Sequence, residues 1–400
     1  MSLNDGQSLV LAVNGGSSSI RFALFDAGPS PRRCLSGKID RIGAGQPTLT
    51  VDEGGNAPVT RDIAASDHRA AVTFLLEWLD RRPEFPRVKA VGHRVVHGMA
   101  HAEPERVTPQ LLAELRHITP YDPDHLPGEI ALMEAILARH PQLPQVACFD
   151  TAFHRSMPAV ARRLAIPRRY AALGVERYGF HGLSYAYLME ELARLHDPAA
   201  RRGRVILAHL GNGASLAAVQ DGASIDTSMG FTPAAGLVMS TRSGDVDPGL
   251  AYFLSRTGHM TPARFQRMAN HESGLLGVSE TSADLRDLLA REDADPRAAE
   301  AVELFCYQVR KWIGAYTAAL GGLDTLVFAG GIGENAAVIR ARICERLGFL
   351  GILLDGAANA RHAPVISAGA GAVAVRVIRT DEELMIARSV VRLLDRQPAA

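Results

Sequence analysis

Cysteine is scarce and scattered. Cys34, Cys148, Cys306 and Cys344 lie far apart and form no C-x-x-C pair, which excludes a zinc ribbon, a disulfide framework and a thioredoxin-type redox motif. Long apolar runs are missing too, since none approaches the ~20 residues of a membrane helix. Neither sign of charge dominates: 43 Lys and Arg balance 43 Asp and Glu. There is accordingly no basic field to recruit nucleic acid or anionic lipid, and any anion site must be local. No Gly-Lys-Ser/Thr P-loop occurs. The stretch ahead of Asn14 carries Asp5 and no Lys or Arg, and its apolar segment stops at Asn14, unlike the layout of a signal peptide. These absences lead to the expectation of a soluble cytoplasmic protein with no nucleic-acid or membrane partner.

What is present is globular. A chain of 400 residues, 47% apolar and 22% charged, exceeds the usual limit of one core, so two domains are expected. Two glycine-rich loops, Asn14-Gly15-Gly16-Ser17-Ser18-Ser19 and His209-Leu210-Gly211-Asn212-Gly213-Ala214-Ser215, sit in matching contexts about half a chain apart. The first is flanked by the apolar runs 9–13 and 20–26, the second by 204–208 and 215–220, and both read as β-hairpins with polar tips. Glycine lets the backbone approach an anion closely, where N–H groups with Ser and Asn side chains bind phosphate oxygens. Either loop alone is ordinary turn chemistry, but the pair argues for a nucleotide held by two such hairpins. A third cluster, Gly330-Gly331-Ile332-Gly333-Glu334-Asn335, follows the apolar run 325–327 and opens the helical pattern 336–347. A strand, then glycines, then a helix start suits a nucleotide, although the spacing is not the dinucleotide fingerprint. A Rossmann dehydrogenase and a P-loop ATPase are both disfavoured.

Each half reads as strands first and helices after. In the first, turn-rich short strands over 43–56 precede helical patterns at 68–82, 109–118 and 127–140, with apolar strands at 88–93 and 145–150. In the second, helical segments at 248–255, 262–269, 282–291 and 297–320 follow the hairpin, and a C-terminal helix from Asp381 is expected to return to the first domain. The result is an α/β reading with two domains of common design and a cleft between them. The stretch 224–248 reads as a long loop, which at that length marks function.

Charged side chains punctuate this frame. Arg242 stands among small residues in Thr241-Arg242-Ser243-Gly244-Asp245-Val246-Asp247, where a guanidinium suits phosphate or carboxylate and an ion pair with Asp245 or Asp247 is the competing reading. Arg94 ends an apolar strand in Gly92-His93-Arg94-Val95-Val96-His97-Gly98. One arginine from each half offers a clamp for a transferring group. Asp150 ends the strand before Thr151, where either magnesium ligation or helix N-capping suits it. His181 lies between glycines and aromatics in Tyr178-Gly179-Phe180-His181-Gly182.

Taken in order, these segments, together with Phe149-Asp150-Thr151-Ala152-Phe153-His154, Asp226-Thr227-Ser228-Met229-Gly230-Phe231-Thr232-Pro233 and Asp381-Glu382-Glu383-Leu384, resemble the acetate kinase family over nearly the whole chain. The resemblance implies two duplicated ribonuclease H-like domains of the acetate and sugar kinase and actin superfamily, with an interdomain active-site cleft. The first would comprise residues 1–152 with 382–400 on the carboxylate and phosphate side; the second, residues 153–381, would serve nucleotide binding and dimerisation. It implies a homodimer that phosphorylates a short-chain carboxylate with ATP (ADP in reverse) and Mg²⁺ or Mn²⁺. Arg94 and Arg242 would hold the carboxylate and the phosphoryl group, and His181 would stabilise the transition state. Asp150, Asn14 and Glu382 would organise the metal, Glu382 being favoured over Glu383. Asn14, Ser17, Ser19 and Arg21 would form the first phosphate loop; His209, Gly211, Asn212 and Gly213 the second; and the adenosine would lie along Gly331, Ile332, Gly333, Glu334 and Asn335. Val96, Tyr121, Phe180 and Pro233 would line the acyl pocket.

The chain departs from the family in four places. Arg21 stands for a lysine, Gly15 for an alanine or cysteine, and Tyr185 for a histidine. Tyr121-Asp122-Pro123-Asp124-His125-Leu126 replaces Leu-His-Asn-Pro or Leu-His-Gln-Pro, so a family histidine is missing unless His125 takes its place. Tyr121 would narrow the acyl pocket or add a hydroxyl to it, which leaves propionate or butyrate beside acetate as the preferred acid. An actin-like or chaperone-type ATPase is the reading from another class, and a non-catalytic relative is a third.

Overall fold

The computed structural model describes residues 8–395 apart from positions 17, 29, 44 and 56. The chain divides into two compact units, Met1–Ala152 with Asp381–Ala400, and Phe153–Thr380. Ser17, expected in the first phosphate loop, lies outside the described residues.

The first unit holds strands β1 (Leu9–Gly15), β2 (Ile20–Asp26), β3 (Arg33–Asp40), β4 (Thr48–Asp52), β5 (Val59–Asp62), β6 (Val88–Val95), β7 (Glu105–Arg106) and β8 (Gln145–Phe149), in sheet order β5-β4-β3-β2-β1-β6-β8-β7. β1, β2 and β3 pair antiparallel as a meander, whereas β6 pairs parallel to β1 and β8 parallel to β6. The parallel connections require helical crossovers, which the amphipathic segments His68–Asp80 and Leu126–Arg139 supply. Asp67 caps the first of these by accepting from Ala70 N–H. Leu9, Leu11 and Val13 of β1 join Leu75, Leu76, Leu132 and Ile136 in one core. The C-terminal helix Glu382–Asp395 packs against β6 at Gly92, where an added Cβ would fall 2.4 Å from Ile386 Cγ2.

The second unit repeats the central pattern with β9 (Arg204–Leu210), β10 (Ala214–Gln220), β11 (Ala223–Thr227), β12 (Thr325–Ala329) and β13 (Ala374–Val377), in order β11-β10-β9-β12-β13. Again the first three pair antiparallel and the last two parallel. A three-stranded meander whose first strand carries two parallel additions, found twice in one chain, is a duplicated ribonuclease H-like fold. On one face lie Tyr185, Leu188 and Leu192 of the helix Gly182–Arg194. The long helix Pro296–Ala319 buries Val302, Phe305, Val309 and Ile313.

Several expectations need correction. The expected loop 224–248 begins later, because Ala223–Thr227 is a strand. Its signal was the Asp221-Gly222 pair, whose φ values of 51° and 85° fit the tight turn that joins hairpin strands. The helical segment expected at 282–291 shrinks to Leu285–Leu289, because Asp284 accepts from Arg286 N–H and starts the helix there. The third glycine cluster does not precede its helix but is one, Gly330–Asn335, broken at Ala336 before Ala337–Cys344. The helices Gly182–Arg194 and Gly274–Ser279 were not anticipated.

Two buried histidines link the fold to pH. His93 of β6 bonds the Gln145 side chain at 2.7 Å, and His154 lies between Ser224 Oγ and the Phe180 carbonyl. Burial lowers each from the ordinary 6.5 to about 4. The unfolded chain therefore binds more protons between these values, so stability present above pH 6.5 is lost as the pH falls toward 4. We expect each histidine to contribute about 2 kcal/mol of the stability lost between pH 7 and pH 5. His93→Gln keeps a partner for Gln145 and should shrink the pH 5 to 7 difference in urea-unfolding free energy by that amount; an undiminished difference would contradict the assignment.

Candidate active site

In the first unit three consecutive parallel strands end side by side. Asn14 is near the end of β1, Arg94 near the end of β6, and Asp150 just past β8. The Arg94 guanidinium donates to Asp150 Oδ2 through Nε at 2.9 Å and Nη2 at 2.6 Å, and through Nη1 to Asn14 Oδ1 at 3.4 Å. Asn14 Nδ2 donates to Glu382 Oε2 at 2.8 Å, and Glu382 lies 4.0 Å from Arg94 Nε. Asp150 is wholly buried and the Arg94 side chain is 15% exposed. Burial opposes the arginine's charge, but Asp150 and then Glu382 outweigh it and raise its pKa. Five of the expected residues therefore gather here: Asn14, Arg94, Asp150 and Glu382, with Arg21 close enough to favour the charge of Glu383. Ser19 turns its carbonyl to Gly16 N–H at 2.7 Å.

Glu129 was missed. It is buried behind Arg94 and accepts from Val96 N–H with both oxygens, at 3.1 and 3.2 Å. Burial raises its pKa well above the carboxylate range despite the nearby Arg94. No motif marks it; its one signal was a carboxylate on the otherwise apolar face of the helix Leu126–Arg139. Tyr121 lies with its ring 6.0 Å from that of His97, next to Val96 in the chain. His125 is turned to Asp122, Nδ1 to Oδ1 at 2.8 Å.

The second unit gathers the other half of the expected set. His181 precedes the helix Gly182–Arg194 in left-handed backbone, φ 60°, uncommon for a residue with a Cβ. Its Nδ1 is 2.8 Å from Ser215 Oγ and its ring stacks on His209 at 4.2 Å. A Cβ on Gly213 would lie 3.2 Å from His181 Nε2 and 3.4 Å from Arg242 Nη1, so glycine leaves both groups room over one stretch of backbone. Arg242 also donates to the Pro233 carbonyl at 3.2 Å. Asp245 receives Gly236 N–H and Asp247 caps the following helix, so both neighbouring carboxylates have local duties. Asn212 accepts from Ser240 N–H and Oγ, tying the second loop to the Arg242 segment.

The third cluster abuts that loop. Gly330, φ 75°, approaches the Leu210 carbonyl so closely that a Cβ would fall 2.6 Å from it, and Gly211 lies beside Gly331 N–H. Gly331 and Asn335 are exposed, with Asn335 Nδ2 on the Gly331 carbonyl. The Glu334 carboxylate is turned away from a ligand role, accepting Gly330 and Thr380 N–H at 3.0 Å each. Buried Arg340 holds the Gly333 and Glu334 carbonyls. Phe180 is buried and Ile332 half-buried.

The sequence profile of the acetokinase family matches residues 9–388. The chain belongs to the acetokinase family. An acetate kinase of Rhodopseudomonas palustris is 45% identical over 394 residues, covering 97% of this chain and 98% of that protein. A propionate kinase of Citrobacter rodentium is 43% identical over 390 residues, covering 96% of each. Among solved structures, Porphyromonas gingivalis acetate kinase matches with a TM-score of 0.86 at 36% identity, over 97% of this chain and all of that one. A propionate kinase from Francisella tularensis matches at 0.89 and 34% identity, over 96% and 98%. As an acetokinase-family member the chain is a phosphotransferase with a carboxyl group as acceptor.

The buried ion pair yields a test. Arg94→Ala leaves Asp150 buried without its countercharge, and we expect a loss of about 3–5 kcal/mol at pH 7 by thermal unfolding. The loss should shrink as the pH falls, because protonation relieves the stranded carboxylate. Equal losses at pH 7 and pH 4.5 would show that Asp150 does not depend on this charge.

Proposed function

We propose that this chain is an acetate kinase, transferring the terminal phosphoryl group of ATP to acetate to give acetyl phosphate and ADP, and running in reverse. The observation that carries the reading is that each unit supplies an arginine set among ligand-type groups: Arg94 with Asn14, Asp150 and Glu382, and Arg242 with His181 over Gly213. The sequence similarity to acetate kinases supports the acid.

The chemistry needs little beyond position and charge. A carboxylate is ionised at pH 7, so its oxygen attacks phosphorus without a general base, while the bridging P–O bond breaks and ADP leaves with the electron pair. Arg94, Arg242 and His181 meet the charge on the equatorial oxygens. Asn14, Ser17, Ser19 and Arg21 serve the first phosphate loop, and His209, Gly211, Asn212 and Gly213 the second. The adenosine lies along Gly331, Ile332, Gly333, Glu334 and Asn335, with Glu334 contributing through its backbone because its carboxylate is engaged. Val96, Tyr121, Phe180 and Pro233 line the acyl pocket.

Magnesium fits this donor set. Among the described residues no three His, Cys, Asp or Glu side chains converge as a metal cage. Mg²⁺ instead takes one or two carboxylates and fills its shell with water and phosphate oxygens, and Asn14 with Glu382, backed by Asp150, offers hard oxygens of that kind. When bound, the metal supplies charge neutralisation on the phosphates. In this reading the first unit handles carboxylate and phosphate, and the second handles nucleotide and a homodimer contact. No helix among the described residues is long and apolar enough to cross a membrane, and we place the enzyme in the cytoplasm.

Tyr121 and the propionate kinases among the relatives favour propionate as a second reading. A hydroxamate assay with Mg-ATP and formate, acetate, propionate and butyrate separates the two. We expect acetyl hydroxamate from the wild type and a drop of roughly 10²–10³ in kcat for Arg242→Ala. A higher kcat/KM for propionate would install the second reading, and no acyl phosphate from any acid, with ATP bound, would overturn both.

A further inference from the structure

Tyr185 occupies the position where the family resemblance calls for a histidine, yet it is built into the site rather than merely filling a core. Its side chain is wholly buried, with its ring 5.8 Å from Phe153 and 5.6 Å from His154. Its hydroxyl is 2.5 Å from Ser215 Oγ, and Ser215 Oγ is in turn 2.8 Å from His181 Nδ1. Ser215 is also wholly buried. Three polar atoms thus form a chain, phenol to hydroxyl to imidazole, ending on the histidine whose other nitrogen faces Gly213 and Arg242.

The direction of the hydrogens in this chain decides what His181 can do. A serine hydroxyl has one hydrogen to give. Between a phenol and an aliphatic alcohol, the phenol is the stronger acid and the better donor, and its oxygen is the poorer acceptor, because the ring withdraws its lone pair. Tyr185 therefore donates to Ser215, and Ser215 has its hydrogen left for one acceptor, His181 Nδ1. A neutral imidazole that accepts at Nδ1 carries its proton at Nε2. The opposite tautomer would present a bare Nε2 lone pair toward the Gly213 backbone, and that lone pair would repel an anion there. With Nε2 protonated, His181 and Arg242, besides the contacts they already make, both bring donors to the Gly213 backbone, a pairing that suits an anionic oxygen.

We infer that Tyr185 is a positioning residue which, through Ser215, holds His181 in the Nε2-protonated tautomer so that it meets an anionic oxygen over Gly213 as a donor. The left-handed backbone of His181 adds to the case, since strain of this kind persists only where surrounding contacts hold it. The ligand is an acceptor-rich anion of the phosphoryl type. The inference rests on the carboxylate-kinase reading for the reaction His181 serves, but not for the tautomer itself.

Tyr185→Phe removes the hydroxyl and keeps the ring. Two readouts on the whole enzyme test the inference. In ¹⁵N spectra of histidine-labelled, unliganded protein at pH 8, with His181 signals assigned by their loss in His181→Gln, the wild type should show Nε2 protonated and Nδ1 bare, and Tyr185→Phe a mixture of tautomers. In the acyl-phosphate assay, Tyr185→Phe should lower kcat by roughly tenfold, the worth of one hydrogen bond, with KM for ATP and acid changed less than about twofold. Tyr185→His, which restores a ring donor, should recover most of that loss. A wild type carrying its proton at Nδ1 would overturn the inference, as would a Tyr185→Phe variant that keeps the wild-type tautomer, whatever its rate. If the wild type forms no acyl phosphate, the carboxylate-kinase reading falls while the spectra still decide the tautomer.

Discussion

Parallel strand pairing is the constraint on which the rest depends. Because β6 runs parallel to β1 and β8 parallel to β6, their carboxyl ends come to one edge of the sheet, and any residue placed at those ends joins its neighbours there. Asn14 and Asp150 lie 80 and 56 residues from Arg94 in sequence, yet both bond it because the register aligns Val13 with His93 and Val95 with Phe149. The second unit uses the same device. Ala329 of β12 pairs with His209 of β9, so the glycines after each strand become neighbours.

Collecting charge at a sheet edge has a cost, and the structure shows where it is met. Asp150 has no exposure and is compensated by a two-nitrogen contact from Arg94, the geometry in which a guanidinium outperforms an ammonium. Glu129 behind it has its pKa raised by burial, which limits how much negative charge accumulates around one arginine. The second unit holds unusual backbone of its own. His181 and Gly330 both sit at positive φ, one tolerated against preference and the other only because glycine has no Cβ to strike Leu210.

Much of this was legible. The two hairpins appear where alternating apolar runs flank the polar loops, since a period of two with a glycine-rich break leaves few other local solutions. Arg94, Asp150 and His181 stand out because charge or imidazole at a strand end or between glycines suits a ligand, although helix N-capping is an equal reading for Asp150. Glu129 does not stand out, because a carboxylate within a helix is common everywhere, and Ser215, although it ends the second glycine-rich loop, carries no local sign of its part in positioning His181. Their importance comes from what lies opposite them, Val96 N–H and Arg94 in one case, His181 and Tyr185 in the other. Glu334 illustrates the converse: it lies in a glycine cluster suited to a ligand, yet its carboxylate closes the start of its own helix.

The sequence by itself determined the class of elements, the duplication, and the stock of ligand-type residues, because periodicity, turn chemistry and motif order are local properties of a chain. Only the tertiary structure decided partners: that Arg94 leans on Asp150, that Asn14 bridges toward Glu382 across 368 residues, and that Tyr185 reaches His181 through Ser215. Hydrogen-bond direction, burial and the resulting pKa shifts depend on which groups face each other across strands and helices distant in sequence, and no local pattern encodes that.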